Sequence, residues 1–129
     1  MRRPIDKEIF EDELADFWFD DDGILCAQAK QTKRTLEKQK ATYALVRQIT
    51  GNRMVCLLSD VTSVGPQDKE TREYAAEQLP ELFKAMAVFA DSSFGKLVIN
   101  TFVSFSGEPI PIRMFDNEDD ARTWLKRFL

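Results

Sequence analysis

Cysteines and carboxylates are the side chains of this sequence best suited to chemistry, because the chain contains no histidine. Cys26 and Cys56 each lie inside an apolar run, which is typical of buried free thiols in a reducing compartment. A nucleophilic cysteine usually needs a histidine base, and histidine is also the commonest metal ligand. No phosphate-binding glycine pattern or nucleophile elbow is present either. The sequence therefore predicts a protein that is not an enzyme, with no cofactor and no metal site.

The most acidic feature is a run of three aspartates, Asp20 to Asp22, followed by Gly23. An EF-hand loop spreads its acidic ligands over about a dozen residues around a central glycine and ends in glutamate. That spacing is missing here. Because apolar runs flank the aspartates at residues 17–19 and 24–29, the pattern predicts a β-hairpin with an acidic turn.

The chain of 129 residues, with 43% apolar and 31% charged residues, fits one globular domain. We expect residues 1–13 to be a loosely ordered lead-in and residues 14–129 to form the domain. The net charge of -4 argues against a nucleic-acid partner. A basic cluster is interpreted as a solvated helix entry rather than a phosphate site. Its members are Lys30, Lys33, Arg34, Lys38 and Lys40.

The cellular location is predicted from the absence of sequence features that direct a chain into or across a membrane. Its N-terminal residues are charged throughout and lack the apolar core of a signal peptide. Its longest apolar runs are too short to span a bilayer. We therefore expect a cytoplasmic protein without stable membrane insertion.

Strands and helices alternate after the hairpin. Thr35 is expected to cap a helix that runs to about Thr50 and ends at Gly51. A modest stripe on this helix is expected to face inward. It consists of Leu36, Ala41, Ala44, Leu45, Gln48 and Ile49. The apolar run at residues 54–58 predicts a central strand covered on both faces.

The second half continues the alternation. Pro66 suits the first turn of a second helix, which Pro80 interrupts or ends. Strands are expected at residues 85–90 and 110–115, the latter at a sheet margin because of its prolines. Asn117 should cap a last helix. The order predicts an α/β fold: an N-terminal β-hairpin, then alternating helices and strands, in a mixed, mostly parallel sheet with flanking helices.

The segment at residues 94–105 keeps helical spacing and is apolar on almost every side, so we predict a buried helix. Two interpretations stay open. The helix can simply be covered by the rest of the domain, or it can offer an apolar patch for self-association or a pocket for an apolar ligand. The residues of this candidate patch are Phe94, Val98, Ile99, Phe102 and Val103.

Short segments over nearly the whole chain from about residue 14 carry a family resemblance. They are TLE at 35–37, LLSDVTSV at 57–64, TREY at 71–74, KAMAV at 84–88, DS at 91–92, NTF at 100–102, PIRMF at 111–115 and EDDA at 118–121. In their order they resemble the STAS-domain superfamily, in particular its bacterial SpoIIAA-like branch, which is also CRAL-TRIO-like and largely uncharacterised. The resemblance implies a regulatory module that binds other proteins.

In the sporulation anti-anti-sigma proteins of this superfamily, the connection after the central strand carries an Asp-Ser pair whose serine is phosphorylated by a partner kinase. By this resemblance, Gly65-Pro66 and Gln67 stand at the corresponding positions, so the Asp-Ser pair is absent. Ser63 and Thr71 are the nearby hydroxyls, although hydroxyls near a helix entry are usually caps. The candidate partner surface consists of Asp60, Ser63, Gly65, Pro66, Thr71 and Arg72. Asp60 lies at a strand end and is expected to form an ion pair or fix a loop.

Two functions follow as hypotheses. The first is a non-enzymatic regulatory protein-interaction module, expected to form a homodimer, that acts through residues 60–75. The second, which the CRAL-TRIO-like side of the family suggests, is a binder or sensor of a small apolar, lipid-like molecule. Its pocket would lie between the helix at 94–105 and the sheet.

Overall fold

The computed structural model describes residues 1–90 and 110–129. Its centre is a six-stranded sheet whose strands lie side by side in sequence order. The strands are β1 (Phe10–Glu11), β2 (Ala15–Phe19), β3 (Leu25–Ala29), β4 (Val55–Asp60), β5 (Phe83–Phe89) and β6 (Ile112–Phe115). Strand β2 is antiparallel to both β1 and β3, and β3 to β6 are mutually parallel. The prediction of a mixed, mostly parallel α/β sheet with flanking helices is confirmed.

Within the described residues the α-helices are α1 (Leu36–Thr50), α2 (Lys69–Leu82) and α3 (Glu118–Leu125), the last followed by a 3-10 turn (Lys126–Phe128). The predicted caps are confirmed. Thr35 Oγ1 accepts a hydrogen bond from the Lys38 amide, and Asn117 Oδ1 accepts one from the Asp120 amide. Gly51 ends α1 in the left-handed conformation with φ of 65°, which glycine adopts without a steric penalty.

The predicted acidic hairpin turn is also confirmed. Asp20 Oδ1 accepts hydrogen bonds from the amides of Asp22 and Ile24, both at 2.9 Å. The turn closes at Gly23, whose φ is 79°. The other oxygen, Asp20 Oδ2, receives a hydrogen bond from Arg122 of α3. Asp20 therefore shapes the turn and ties it to the C-terminal helix.

The second helix differs from its prediction at both ends. Pro66 lies before the helix, and Asp68 is the cap that accepts from the Thr71 amide at 2.8 Å. Pro80 lies inside α2, which continues to Leu82 before β5 begins at the next residue. The missing amide of Pro80 removes a single hydrogen bond near the helix end, and the buried Leu82 keeps that last turn against the sheet.

Residues 1–13, which we expected to be a loosely ordered lead-in, contact the sheet at several points. Phe10 pairs with Phe17 as part of strand β1. The Met1 ammonium forms an ion pair with Asp60 at 2.7 Å, with both groups buried, and the Met1 carbonyl accepts a hydrogen bond from Gln28 at 2.6 Å. The segment is held because polar groups at its start find partners at the ends of β3 and β4.

The sheet has an apolar core on each face. On one face α1 and α2 pack over residues of β2 to β5, including Phe17, Leu57 and Phe83. On the other face α3 and the 3-10 turn pack with Met1 and Ile9 of the N-terminal segment. The apolar helix predicted at 94–105 lies outside the described residues, as do its candidate residues.

Helix α1 buries a face that only partly overlaps the predicted one, since Leu45 and Ile49 pack against the core as expected. Its buried residues are Gln39, Thr42, Tyr43, Val46 and Thr50. The expected inward residues Ala41, Ala44 and Gln48 are exposed. The buried threonines are satisfied locally, since Thr42 Oγ1 donates to Asp12 at 2.5 Å and Thr50 Oγ1 donates to the Val46 carbonyl at 2.8 Å. The helix therefore buries several polar residues and exposes alanines that the hydrophobic pattern had placed on its inward face.

Candidate ligand cavity

A cavity of about 110 Å³ lies between the sheet and the helices α1 and α2. Protein interiors hold few voids larger than a water molecule, so a space of this size calls for an explanation. Four alanines line it, Ala15 and Ala27 and Ala29 on the sheet and Ala75 on α2. Small side chains on both sides of a helix–sheet interface leave the space that larger ones would fill.

The cavity runs along the sheet from Phe83, the first residue of β5, to the carboxyl ends of the parallel strands. Its lining includes Ala29 of β3, Ser59 of β4 and Val88 of β5, each close to the end of its strand. Open α/β sheets commonly bind ligands at this edge. The position of the cavity therefore agrees with a ligand site.

Polar side chains form one part of the wall. Gln39 is only 2% exposed and Tyr43 is 7% exposed, and they lie four residues apart on the same face of α1. Arg34, just before the helix, donates from Nη2 to Gln39 Oε1 at 3.2 Å. Ser59 adds a hydroxyl from the sheet. An apolar cavity with a few convergent polar groups is the usual composition of a small-molecule site.

The ionisation of this wall follows from its burial. Burial raises the pKa of Tyr43 to about 12, and the nearby Arg34 charge opposes that shift. Burial also lowers the pKa of Arg34, while Tyr43 and Asp12 oppose the change. A guanidinium stays protonated in proteins, so near neutral pH the wall offers one positive charge and a neutral phenol.

Two chain segments form the rim beside this wall. The Arg34 amide donates to the Pro66 carbonyl at 2.8 Å, and Arg34 pairs with Gln67 in a parallel bridge. At Gly65 the backbones meet so closely that an added Cβ would lie 1.8 Å from the Thr32 carbonyl oxygen. Glycine is needed here for close approach, since its φ is not positive.

The candidate partner surface predicted from the sequence is only partly accessible. Ser63 and Pro66 are exposed and Arg72 is half-buried. Gly65 and Asp60 are buried, and Thr71 is 0% exposed. Asp60 and Thr71 therefore cannot present their side chains to a partner, which corrects that prediction for these two residues. The hydrophobic pattern gave no sign of their burial, because both are polar.

Asp60 acts as a strand-end carboxylate that fixes a loop. Oδ1 accepts a hydrogen bond from the Thr62 amide at 3.0 Å, and Oδ2 forms the ion pair with the Met1 ammonium. Burial alone would raise the pKa of Asp60, but these hydrogen bonds outweigh burial and leave its pKa lowered. The expected ion-pair and loop-fixing role is what the contacts show.

Both cysteines are buried free thiols. Burial, assisted by the negative charge of Asp20 and opposed by Arg122, raises the pKa of Cys26 to about 11. Burial also raises the pKa of Cys56. Because the thiolate is the reactive form, we expect neither residue to be alkylated by iodoacetamide within an hour at pH 8, as measured by intact mass. The same treatment in urea should add two groups, and rapid labelling of the native protein would contradict the burial.

Within residues 1–90 and 110–129, no three metal-binding side chains come together in a group that could hold an ion. In the same residues, no helix has the length and apolar character needed to cross a bilayer.

The fold defines the class of protein. An uncharacterised protein of the DUF3478 family from Shewanella loihica PV-4, described as having a SpoIIAA-like fold, superposes with a TM-score of 0.57. The alignment covers 97% of this chain and 98% of that chain at 18% identity, so it shows the fold alone. The chain has the SpoIIAA-like fold, as the resemblance predicted.

The particular family is shown by its own model. The chain belongs to the family described as the domain of unknown function DUF7793, whose model matches residues 17–129. No match to the chain is found among curated proteins.

Proposed function

We propose that this domain is a non-enzymatic binding module that holds a small, largely apolar molecule in the cavity beneath α1 and α2. The observation that carries the proposal is the cavity itself, about 110 Å³ bounded mainly by apolar side chains. An engineered apolar cavity of roughly 150 Å³ in another protein takes up benzene. The present cavity is smaller, so the ligand it can accept is no larger than a compact ring or a short alkyl chain.

The pocket expected from the sequence lay against the helix at 94–105, which is outside the described residues. The described part of the lining of this cavity comes from α1, α2, the sheet and the connections beside them. The class of ligand in the proposal is nevertheless the same, a small apolar molecule.

The connection at residues 61–67 supports a role for a regulatory partner protein that detects whether the cavity is occupied. Val61, Val64 and Gln67 line the cavity, while Ser63 and Pro66 of the same connection are exposed. A ligand that contacts the inner side of this connection can alter the surface on its outer side. In this proposal, ligand occupancy takes the place of the phosphorylation that the similar anti-anti-sigma proteins use at this connection. The homodimer and the cytoplasmic location stay predictions.

The cavity is tested by filling it. Ala27→Leu adds bulk to the sheet side of the cavity, so we expect its free energy of unfolding to stay within about 1 kcal/mol of wild type. Ala87→Leu is the matched control, because Ala87 is 0% exposed and packs in the opposite core. There the same change should cost about 1–3 kcal/mol or more. Urea denaturation measures both, and equal losses would contradict an available cavity.

Ligand entry is tested with benzene. Titration should shift the methyl NMR signals of Val46, Leu79 and Val88, which all line the cavity. Ala27→Leu should abolish these shifts, whereas Ala44→Leu, on the exposed side of α1, should preserve them. Shifts that persist unchanged in Ala27→Leu would place the bound benzene elsewhere and overturn the proposal.

A further inference from the structure

We infer that the cavity selects a small carboxylic acid, with its carboxylate bound by Arg34, Gln39 and Tyr43 and its apolar part among the aliphatic side chains. The inference rests on the proposed function and adds to it the chemical class of the ligand. It follows from the hydrogen-bond donors and the charge of the cavity wall.

The wall has more donors than acceptors. Gln39 Oε1 is occupied by Arg34, which leaves the amide nitrogen of Gln39 directed to no acceptor among the described residues. The hydroxyl of Tyr43 and the hydroxyl of Ser59 likewise have no hydrogen-bond partner within residues 1–90 and 110–129. These three groups are not among the fully enclosed polar atoms without a partner, so they reach the accessible space of the cavity. Donors that face one cavity wall and bond to no protein group can bind a ligand that brings acceptors.

The charge of the wall is also unbalanced. Arg34 has no carboxylate within ion-pair distance among the described residues. Asp12 is close enough to favour the charged form of Arg34, but it forms no ion pair with it, and its Oδ2 accepts from Thr42 and from the Leu14 amide. A partly buried cation without a counter-charge is costly. An anionic ligand would supply the missing charge.

A carboxylate fits this wall better than a phosphate. Arg34 is the single cationic residue in the cavity lining among the described residues, and one guanidinium balances one negative charge. Its planar fork matches the two oxygens of a carboxylate. The rest of the lining is mostly apolar, with aliphatic side chains that include Val46, Leu79 and Val88 and the rings of Phe17 and Phe83, and it suits a ring or a short chain.

The test compares acids with neutral ligands of the same shape. Benzoate is paired with benzyl alcohol and butyrate with 1-butanol, each titrated calorimetrically into the full chain at pH 7 and constant ionic strength. Within at least one pair, wild type should bind the acid at least tenfold more tightly, which is about 1.4 kcal/mol. The pair that binds better distinguishes a ring-bearing acid from a short-chain acid.

Arg34→Met should remove the preference for the acid while leaving the alcohol bound as in wild type. The backbone hydrogen bond from residue 34 to Pro66 does not depend on the side chain, so the rim is expected to persist. Lys33→Met is the matched control, because Lys33 is adjacent and exposed and carries the same charge. Arg34→Lys retains the charge without the fork and should keep only part of the preference.

The outcomes separate the two proposals. If wild type binds acid and alcohol equally, or if Lys33→Met loses the preference as fully as Arg34→Met, the carboxylate inference is wrong and the apolar site stands. If no member of either pair binds, and benzene does not shift the methyl signals, the proposed function fails together with the inference.

Discussion

Replacing Gly65 with alanine is expected to destabilise the domain by about 3 kcal/mol, the upper end of the usual cost of overpacking. The added Cβ would lie 1.8 Å from the carbonyl oxygen of Thr32 and 2.5 Å from its carbon. Both are backbone atoms, so no side-chain rotation can relieve the overlap. The two segments must separate, and the hydrogen bond from the Arg34 amide to the Pro66 carbonyl should weaken with them.

The measurement is urea denaturation, with Gly51→Ala and Pro66→Ala as controls. Gly51 has a positive φ of 65° but open space around it, so alanine there should cost about 1–2 kcal/mol from conformation alone. Pro66 is exposed and alanine should be tolerated. A Gly65→Ala variant that is no less stable than Gly51→Ala would contradict the close approach of the two segments.

The same substitution has a consequence for the site. Because the connection at residues 61–67 contributes to the cavity lining, its separation from Thr32 should also weaken benzene binding. Gly51→Ala lies at the far end of α1 and should leave binding unchanged. The contrast would assign the effect to the rim rather than to lower stability.

Local signals in the sequence were enough to predict most of the fold. Thr35, Asn117 and the glycine at 51 mark helix ends through short-range hydrogen bonds and backbone conformation. The acidic turn is equally local, because Asp20 bonds to amides two and four residues later. Alternation of strands and helices then restricts the topology to a mostly parallel sheet.

The candidate site could not be predicted in the same way, because its parts are far apart in sequence. The cavity depends on alanines at 15, 27, 29 and 75, and none of them stands out alone. The inward face of α1 was misjudged because alanine was weighted as apolar, whereas Gln39 and Thr42 are buried beside polar partners. The i, i+3, i+4 spacing of Gln39, Thr42 and Tyr43 was the available signal.

The N-terminal segment shows the same limit. Its strand β1 is only two residues long, too short for a period-2 pattern to reveal. Its other anchor is an ion pair between residues 59 positions apart. The charged composition of residues 1–13 suggested a loosely ordered segment. Composition alone cannot reveal partners that lie far away in the sequence.

Asp60→Asn is expected to lower the free energy of unfolding by about 3 kcal/mol, in the range for breaking a buried ion pair. The Asp60 carboxylate and the Met1 ammonium are 8% and 3% exposed. The amide would keep the shape of the side chain and leave the ammonium without a counter-charge. Asp68→Asn is the control, since asparagine caps a helix as well as aspartate does and should cause a much smaller loss. Urea denaturation at pH 7 compares the two.

The pH dependence of stability separates the ion pair from a packing effect. The folded pKa of Asp60 lies below its ordinary value of 3.8, so its contribution is fully present above that value and is lost as pH falls through the folded pKa. Wild type should therefore lose stability more steeply than Asp60→Asn below about pH 4, and the two curves should converge. Parallel curves down to pH 2 would show that the charge of Asp60 does not stabilise the fold, and that asparagine acts through altered packing alone.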